Sequence, residues 1–429
     1  MTLPDGPTVI PYLHSLKWKG RYLEFLDWCA QRYGSTFTFK RVGSSPYVVV
    51  SHPQAIKEIF TAPAKHFDSG KANQPFSPFL GNNSLLLLDG NEHQQQRKLL
   101  MPPFHGDCLQ TYSQIIYDTT YKEIGLWPIN QPFVVRSWVQ ILTLQIVLQV
   151  LFGSKQEQRV QKLNQCLTSL VNSFLSPFPW QLIFFSQKKR LLDEIIYAEI
   201  DRRRQQGDFS EPDILNLLLT ACDEASQAPT DEQIRDQLIT LIMAGYETTT
   251  TAVLWTLYWV AKLPEIQEKL VRELSIINYN SIPSAIAKLP YLSAVCSETL
   301  RIYSITGFTF DRIVKVPLSI MEYKFEPGTV LSPCTYLTHQ REDIYPSPKQ
   351  FEPERFLKRQ FSPYEYYPFG GGNRRCIGMA FASLEIKLIL ATILSNFHLS
   401  LLDHQAVRPI PRGITLIPPL DLQIVATIQ

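Results

Sequence analysis

The chain has 429 residues, of which 45% are hydrophobic and 19% charged, with a formal net charge of +2. That length can enclose a deep pocket and a bulky cofactor, while the near-neutral charge gives no reason to expect nucleic acid as a partner. Cysteines at 29, 108, 166, 222, 296, 334 and 376 are odd in number and include no C-x-x-C pair, which argues against a zinc site or a secreted disulfide framework and for a reduced, cytoplasmic protein.

The first segment, "MTLPDGPTVIPYLHSLKWKG", carries no apolar run of the kind a signal peptide needs. Ser35 to Ser51 places β-branched and aromatic runs on both sides of Gly43-Ser44-Ser45-Pro46, which predicts a hairpin. "HPQAIKEIF" opens a helix with proline near its start. From Phe67 to Gly90 the chain is rich in Gly, Pro, Asn and Ser and reads as a long loop, a type of element that is usually functional. Its Phe76, Phe79 and Leu85 to Leu88 are candidate pocket walls.

From about residue 92 to 301 the pattern is mostly helical. Leu163 to Gln187 is free of formal charge, yet Pro177 and Pro179 break it, so it is not expected to span a membrane. Gln237 to Ala261 is also long and apolar, but Glu247 at its centre would be costly in a bilayer. Thr230 and Gln233 have capping-box spacing and Pro264 marks an exit, so one long helix is expected between them. Apolar residues occur on all its sides, which predicts a helix running through the core. "AGYETT", Ala244 to Thr249, interrupts that pattern with a glycine, an acid and hydroxyls. One reading is a close helix contact at Gly245 and a solvated Glu247. The other is a locally weakened turn in which a carboxylate and an alcohol deliver the two protons that splitting dioxygen requires.

After Arg301 short β-like pieces alternate with proline-dense loops over about 313–370, and a last helix is expected from about Met379 to Asn396. Between them lies "FGGGNRRCIG", residues Phe369 to Gly378. An isolated cysteine is usually a small buried hydrophobe. Here, however, Gly370, Gly371 and Gly372 let the backbone turn tightly and approach a flat ligand. Cys376 stands at a helix start beside Arg374 and Arg375, where a negative sulfur is favoured. A thiolate on haem iron suits that setting.

Phe369, Gly372, Arg374, Cys376 and Gly378 match F-x-x-G-x-R-x-C-x-G, and the chain resembles the cytochrome P450 monooxygenases over essentially its whole length. The resemblance implies one catalytic domain over 1–429, mainly α with a smaller β region, in the triangular-prism fold of that family. It implies haem b (iron protoporphyrin IX) held by Cys376 as axial ligand, Phe369 beside the sulfur, Arg374 on a propionate, and Gly370 and Gly378 at the cofactor. Ala244 to Thr248 is similar to the family's A-G-x-D/E-T element, with Glu247 the acid, Thr248 the alcohol and Ala244 facing haem and substrate. Glu298 and Arg301 resemble E-x-x-R, and Arg355 in "FEPERF" completes an expected Glu–Arg–Arg cluster that locks the cysteine loop. His93 and Arg97, one turn apart, resemble a propionate-binding pair, and Arg312 is a third anchor. Two departures stand out: Tyr303-Ser304 replaces an aromatic–Pro pair, and His93 replaces a commoner Trp.

By the same resemblance the substrate is an apolar small molecule, a long-chain fatty acid or terpenoid, taken with O₂. Ile305, Thr306 and Phe308 join the loop residues as walls. "SFLSPFPWQLIFFS", Ser173 to Ser186, is read either as core packing or as an entrance lid that touches membranes peripherally. No flavin or ferredoxin segment is evident, so a separate ferredoxin and ferredoxin reductase are expected, docking near Arg374, Arg375 and Lys98. The competing readings are a peroxide-dependent haem-thiolate peroxygenase or isomerase and a haem-free helical lipid-binding protein.

Overall fold

In the computed structural model, residues 3–8, 21–39, 45–153, 163, 165–167, 169–170, 181–207, 209, 213–221, 228–276, 283–403 and 407–429 are described. Helix α1 (Tyr22–Tyr33) precedes β1 (Thr36–Phe39) and β2 (Tyr47–Val50), which pair antiparallel from Thr36↔Val50 to Phe39↔Tyr47 as the hairpin pattern predicts. The expected turn at Gly43-Ser44 lies outside the described residues. Helix α2 (Pro53–Thr61) starts where proline follows His52, whose Nδ1 accepts from the Gln54 amide.

The stretch from Phe67 to Gly90 is more ordered than a loop. It contains β3 (Phe67–Asp68), the one-turn helices Ser69–Ala72 and Ser77–Leu80, and a 3₁₀ turn at Gln74–Phe76. Its organiser is Asp89, whose carboxylate accepts from the amides of Ser69, Gly70 and Lys71 at 2.9–3.0 Å. A carboxylate twenty residues away leaves no signal in local composition, which is why the segment reads as irregular.

Helices α3 (Gly90–Leu100), α4 (Cys108–Ile124), α5 (Val135–Phe152), α6 (Gln181–Gln206), α7 (Ile214–Thr220) and α8 (Asp231–Lys262) build the helical body, with short β4 (Pro132–Val134) before α5. Helix α8 is the axis. Thr230 caps it with both arms of the capping box, and its turns are buried on nearly every side. It packs along α5, where the Thr143 and Thr250 hydroxyls meet at 2.7 Å. Helix α5 is long and apolar enough to cross a membrane, but 61% of it is buried in protein. Helices α9 (Pro264–Ser275) and α10 (Pro290–Ile302) follow.

The β region is assembled from distant pieces. Strands β5 (Arg312–Val314) and β8 (Val330–Pro333) join the first hairpin and β3 in a five-stranded sheet of order β1-β2-β8-β5-β3, with β2 and β8 parallel. Between them β6 (Leu318–Ile320) and β7 (Tyr323–Phe325) form a hairpin. After the cysteine loop, α11 (Met379–Leu394) runs back into the helical body, and β9 (Phe397–Leu401) pairs with β12 (Gln423–Ile428), itself paired to β4. The hairpin β10 (Ile410–Arg412)–β11 (Thr415–Ile417) is tied to α8 by Trp255, whose indole N–H donates to the Leu416 carbonyl at 2.7 Å.

Candidate active site

The cysteine loop is shaped by its glycines, though not in the way expected. Gly370 and Gly372 have φ of 67° and 64°, a region that favours glycine. A Cβ on Gly371 would lie 2.1 Å from the Phe60 ring, and one on Gly372 would lie 2.5 Å from the Phe60 carbonyl oxygen. The close approach that requires these glycines is therefore to α2. Gly371→Ala is expected to displace Phe60 and destabilise the fold by about 1–3 kcal/mol, read as a lower midpoint in chemical unfolding.

Within the loop the Cys376 amide donates to the Phe369 carbonyl at 2.9 Å. Helix α11 begins at Met379 with Gly378 as its cap, so the sulfur sits just outside the helix. Cys376 keeps accessible surface although protein atoms surround it, which places it in a recess. Burial pushes its thiol up, and the Gly378 amide, Arg97 and Arg375 offset only part of that effect. A bound metal cation would deprotonate such a thiol outright. Arg375 is exposed, with its guanidinium 3.0 Å from the Met379 sulfur.

Four of the expected anchors converge. The Arg374 guanidinium donates to the Leu88 carbonyl and to Asp89, and reaches the Leu85 carbonyl at 3.4 Å. Its Nε is buried with no partner among the described residues. His93 is 2% exposed, and burial together with Arg374, Arg97 and Arg312 pulls its imidazole down to about 3. Arg312 is pulled down to about 10 by burial and then by Arg374. Three guanidiniums and an imidazole thus face one another, with Asp89 the carboxylate that holds Arg374. Buried like charges of this kind call for further negative charge. The two carboxylates of iron protoporphyrin IX would supply it, so the residues fit haem.

Helix α8 leaves part of its motif accessible. Its flanking turns are buried, yet Ala244 is exposed, and Met243, Gly245 and Thr248 are half-buried. The expected interruption does not occur, since the helix is continuous from Asp231 to Lys262. The Thr248 hydroxyl donates to the Ala244 carbonyl, and that of Thr251 donates to the Glu247 carbonyl at 2.8 Å. Hydroxyls that bond the carbonyl one turn back compete with the backbone bond there and tend to bend a helix slightly, without ending it. Gly245 does make a close helix contact, because a Cβ there would lie 3.1 Å from Val147 of α5.

Glu247 is neither solvated nor bonded to Thr248. Its Oε1 accepts from Arg136 of α5 at 2.6 Å, with Arg412 at 3.9 Å. Its Oε2 is buried without a hydrogen-bond partner among the described residues. Burial pulls Arg136 down, and Glu247 acts in the opposite direction.

The Glu–Arg–Arg cluster forms as the motifs imply. Glu298 and Arg301 are fully buried, with Oε2 2.6 Å from the Arg301 Nε, and Arg355 donates to Oε1 at 3.1 Å. Arg301 also reaches the carbonyls of His339, Pro348 and Gln350. These bonds join α10 to the segment leading to the cysteine loop.

Most of the expected walls belong to the large apolar cluster of the helical body. The Leu85 amide donates to Gln237, two turns before Ala244 on α8, while the Leu85 carbonyl faces Arg374. Phe79 is buried 5.8 Å from the Phe185 ring, and Phe76 packs on the same apolar cluster. The Ile305 carbonyl accepts from Leu416 at 2.8 Å, and Thr306 beside it is half-buried. Phe308 turns instead toward Tyr22 at 6.5 Å and the cluster of α1 and β1. Of the lid stretch, residues 173–180 and the side chains of 181–184 lie outside the described residues. Reading the sequence missed Asp89, Arg136 and Phe60, because each acts on a residue far away in the chain.

Comparison with known proteins identifies the family and the fold. The family described as Cytochrome P450 matches residues 4–425. A Mycobacterium tuberculosis protein provisionally named cytochrome P450 135B1 is 32% identical over 429 residues, covering 97% of this chain and 90% of the relative. Another from that organism, provisionally named cytochrome P450 135A1, is 33% identical, with coverages of 97% and 93%. Among solved structures, retinoic-acid-bound cyanobacterial CYP120A1 superposes with a TM-score of 0.88 at 24% identity, covering 100% of both chains. The haem domain of cytochrome P450DA does so with 0.88 at 22%, covering 100% of this chain and 98% of that one.

Proposed function

This chain belongs to the cytochrome P450 family, whose members are haem-thiolate monooxygenases, and we propose that it is one catalytic domain that hydroxylates a long-chain apolar molecule, a fatty acid or terpenoid. The haem, held through a cysteine thiolate, supplies the activation of O₂. What supports the substrate class is the Leu85 segment, an apolar stretch held between α8 and Arg374, with Phe79 and Ile305 in the same apolar cluster.

In this reading Cys376 would hold the haem iron through its thiolate, with Phe369 beside it. Arg374, His93, Arg97 and Arg312 hold the two carboxylates, where neutral His93 can donate one hydrogen bond without adding a fourth charge. Thr248 holds its proton between the pocket and the Ala244 carbonyl. Glu247, with one oxygen tied to Arg136 and the other without a hydrogen-bond partner among the described residues, is the acid that replenishes it. Electrons come from a separate ferredoxin and its reductase, for which exposed Arg375 and Lys98 offer positive charge. The protein works in the cytoplasm.

Thr248→Ala is expected to keep haem and substrate binding while most consumed electrons appear as hydrogen peroxide. Tightly coupled hydroxylation in that variant would remove Thr248 from its role. The substrate class is tested by titrating the ferric protein with saturated fatty acids, terpenes and polar aromatic compounds. Long-chain compounds are expected to shift the haem spin state, and a response confined to the polar set would overturn the assignment. Comparing turnover with hydrogen peroxide against turnover with ferredoxin, reductase and O₂ separates this reading from a peroxygenase.

A further inference from the structure

His339 closes the short helical turn Thr335–His339 after β8 and is fully buried. The Tyr367 backbone N–H donates to its Nε2 at 3.1 Å. Nε2 must therefore offer its lone pair, and in a neutral ring the proton resides on Nδ1. That nitrogen lies 3.2 Å from the Ser304 hydroxyl oxygen, which accepts it. The ring stacks on Tyr366 at 5.4 Å, while its own carbonyl accepts from Arg301 at 2.7 Å. Burial and the neighbouring Arg301 pull this imidazole down to about 3, so it stays neutral in ordinary conditions.

Both ends of this bridge matter to the candidate site. Ser304 follows α10, two residues after the helix that carries Glu298 and Arg301. Tyr367 begins the turn into the cysteine loop, since its carbonyl accepts from Gly370 at 2.9 Å. Its hydroxyl is fixed between Thr338 and the Cys334 carbonyl. A proline at 304 would offer His339 no hydroxyl. Serine there and histidine at 339 form one connected unit.

We propose that His339, as a neutral imidazole donating to Ser304 and accepting from the Tyr367 amide, is a positioning residue that sets where the cysteine loop presents Cys376. Tyr367 is the only member of the bridge inside the run that leads to Phe369, so a shift at its amide moves the loop as a body. The inference rests on Cys376 being the iron ligand.

The test compares side chains that replace one nitrogen at a time. In His339→Gln the amide oxygen reaches the position of Nε2 and still accepts from Tyr367. In His339→Asn the amide reaches only the position of Nδ1, so the Tyr367 N–H loses its acceptor, and in His339→Phe both bonds are lost while ring packing is kept. The measurement is the rate at which the reduced, carbon-monoxide-bound holoprotein converts from its thiolate absorption band to that of the protonated thiol. It is followed by the iron–sulfur stretching frequency of the ferric protein. The Asn and Phe variants are expected to convert about tenfold faster, as one unpaired buried amide implies, while His339→Gln stays within about twofold of the parent, a margin inside the usual spread of single hydrogen bonds.

Equal rates in Gln and Phe variants would show that packing alone matters and would overturn the proposal, as would a parent-like His339→Asn. If His339→Phe does not fold, the Gln and Asn pair decides. Ser304→Ala leaves the ring free to carry its proton on Nε2, which would turn that nitrogen from acceptor to donor against the Tyr367 amide, a change the glutamine cannot undergo; it is therefore expected to speed conversion, and Ser304→Thr, which keeps the hydroxyl, to spare it, while identical behaviour would overturn the Ser304 half. A parent protein with no thiolate band at all would instead defeat the assignment of Cys376, a failure distinct from unchanged variants on a thiolate-bound parent.

Discussion

Cys376→Ala is expected to abolish the thiolate absorption band of the reduced, carbon-monoxide-bound protein completely, while leaving the helical body folded. Cys376 belongs to none of the apolar core clusters among the described residues, and the loop is held by backbone bonds from Cys376 to Phe369 and from Gly370 to Tyr367. Its geometry also depends on glycines pressed against Phe60. The substitution therefore removes chemistry and spares structure. Circular dichroism and the absorption spectrum, taken together, check both halves. Retention of the native band would show that another atom binds the iron.

The second large effect is expected at Glu298. Its two oxygens hold Arg301 and Arg355 and accept the Glu352 amide at 2.9 Å, all in buried surroundings. Glu298→Gln leaves two guanidiniums without their shared counter-charge. Breaking a buried ion pair in this way costs about 3–5 kcal/mol. The midpoint of chemical unfolding is expected to fall accordingly, and haem content with it, because Arg301 also anchors the carbonyls of Pro348 and Gln350 ahead of the cysteine loop. A second variant, Arg355→Met, removes one positive charge and leaves Glu298 paired with Arg301, so its loss should be smaller. Equal losses, or none, would mean that the cluster does not act as a charge-balanced unit.

Two residues show how chemical type and chemical arrangement came apart. Glu247 and Thr248 are adjacent in the chain and were expected to act side by side. In the folded protein the threonine hydroxyl turns back to Ala244, whereas the carboxylate points to α5 and Arg136. Adjacent helical positions face different directions, so sharing a motif does not place two side chains in contact. Likewise the glycine run was recognised as a tight turn, but its close neighbour proved to be Phe60.

Features governed by a few consecutive residues were legible without a structure. The capping box at Thr230, the proline exit of α8, the β1–β2 hairpin, the start of α11 and the Glu298–Arg301 pair all depend on backbone preference or helical spacing, which act over one turn or one strand pair. The cysteine signature itself belongs to this class, since its turn and its sulfur are encoded in ten residues. What only the tertiary structure decided is the pairing of charges and faces: Asp89 with Arg374, Arg136 with Glu247, and Phe308 turned to Tyr22. Those partners stand far apart in sequence, and burial lets a charge choose whichever opposite group the packing of helices brings within reach. That choice is a property of the assembled core, and no local pattern records it.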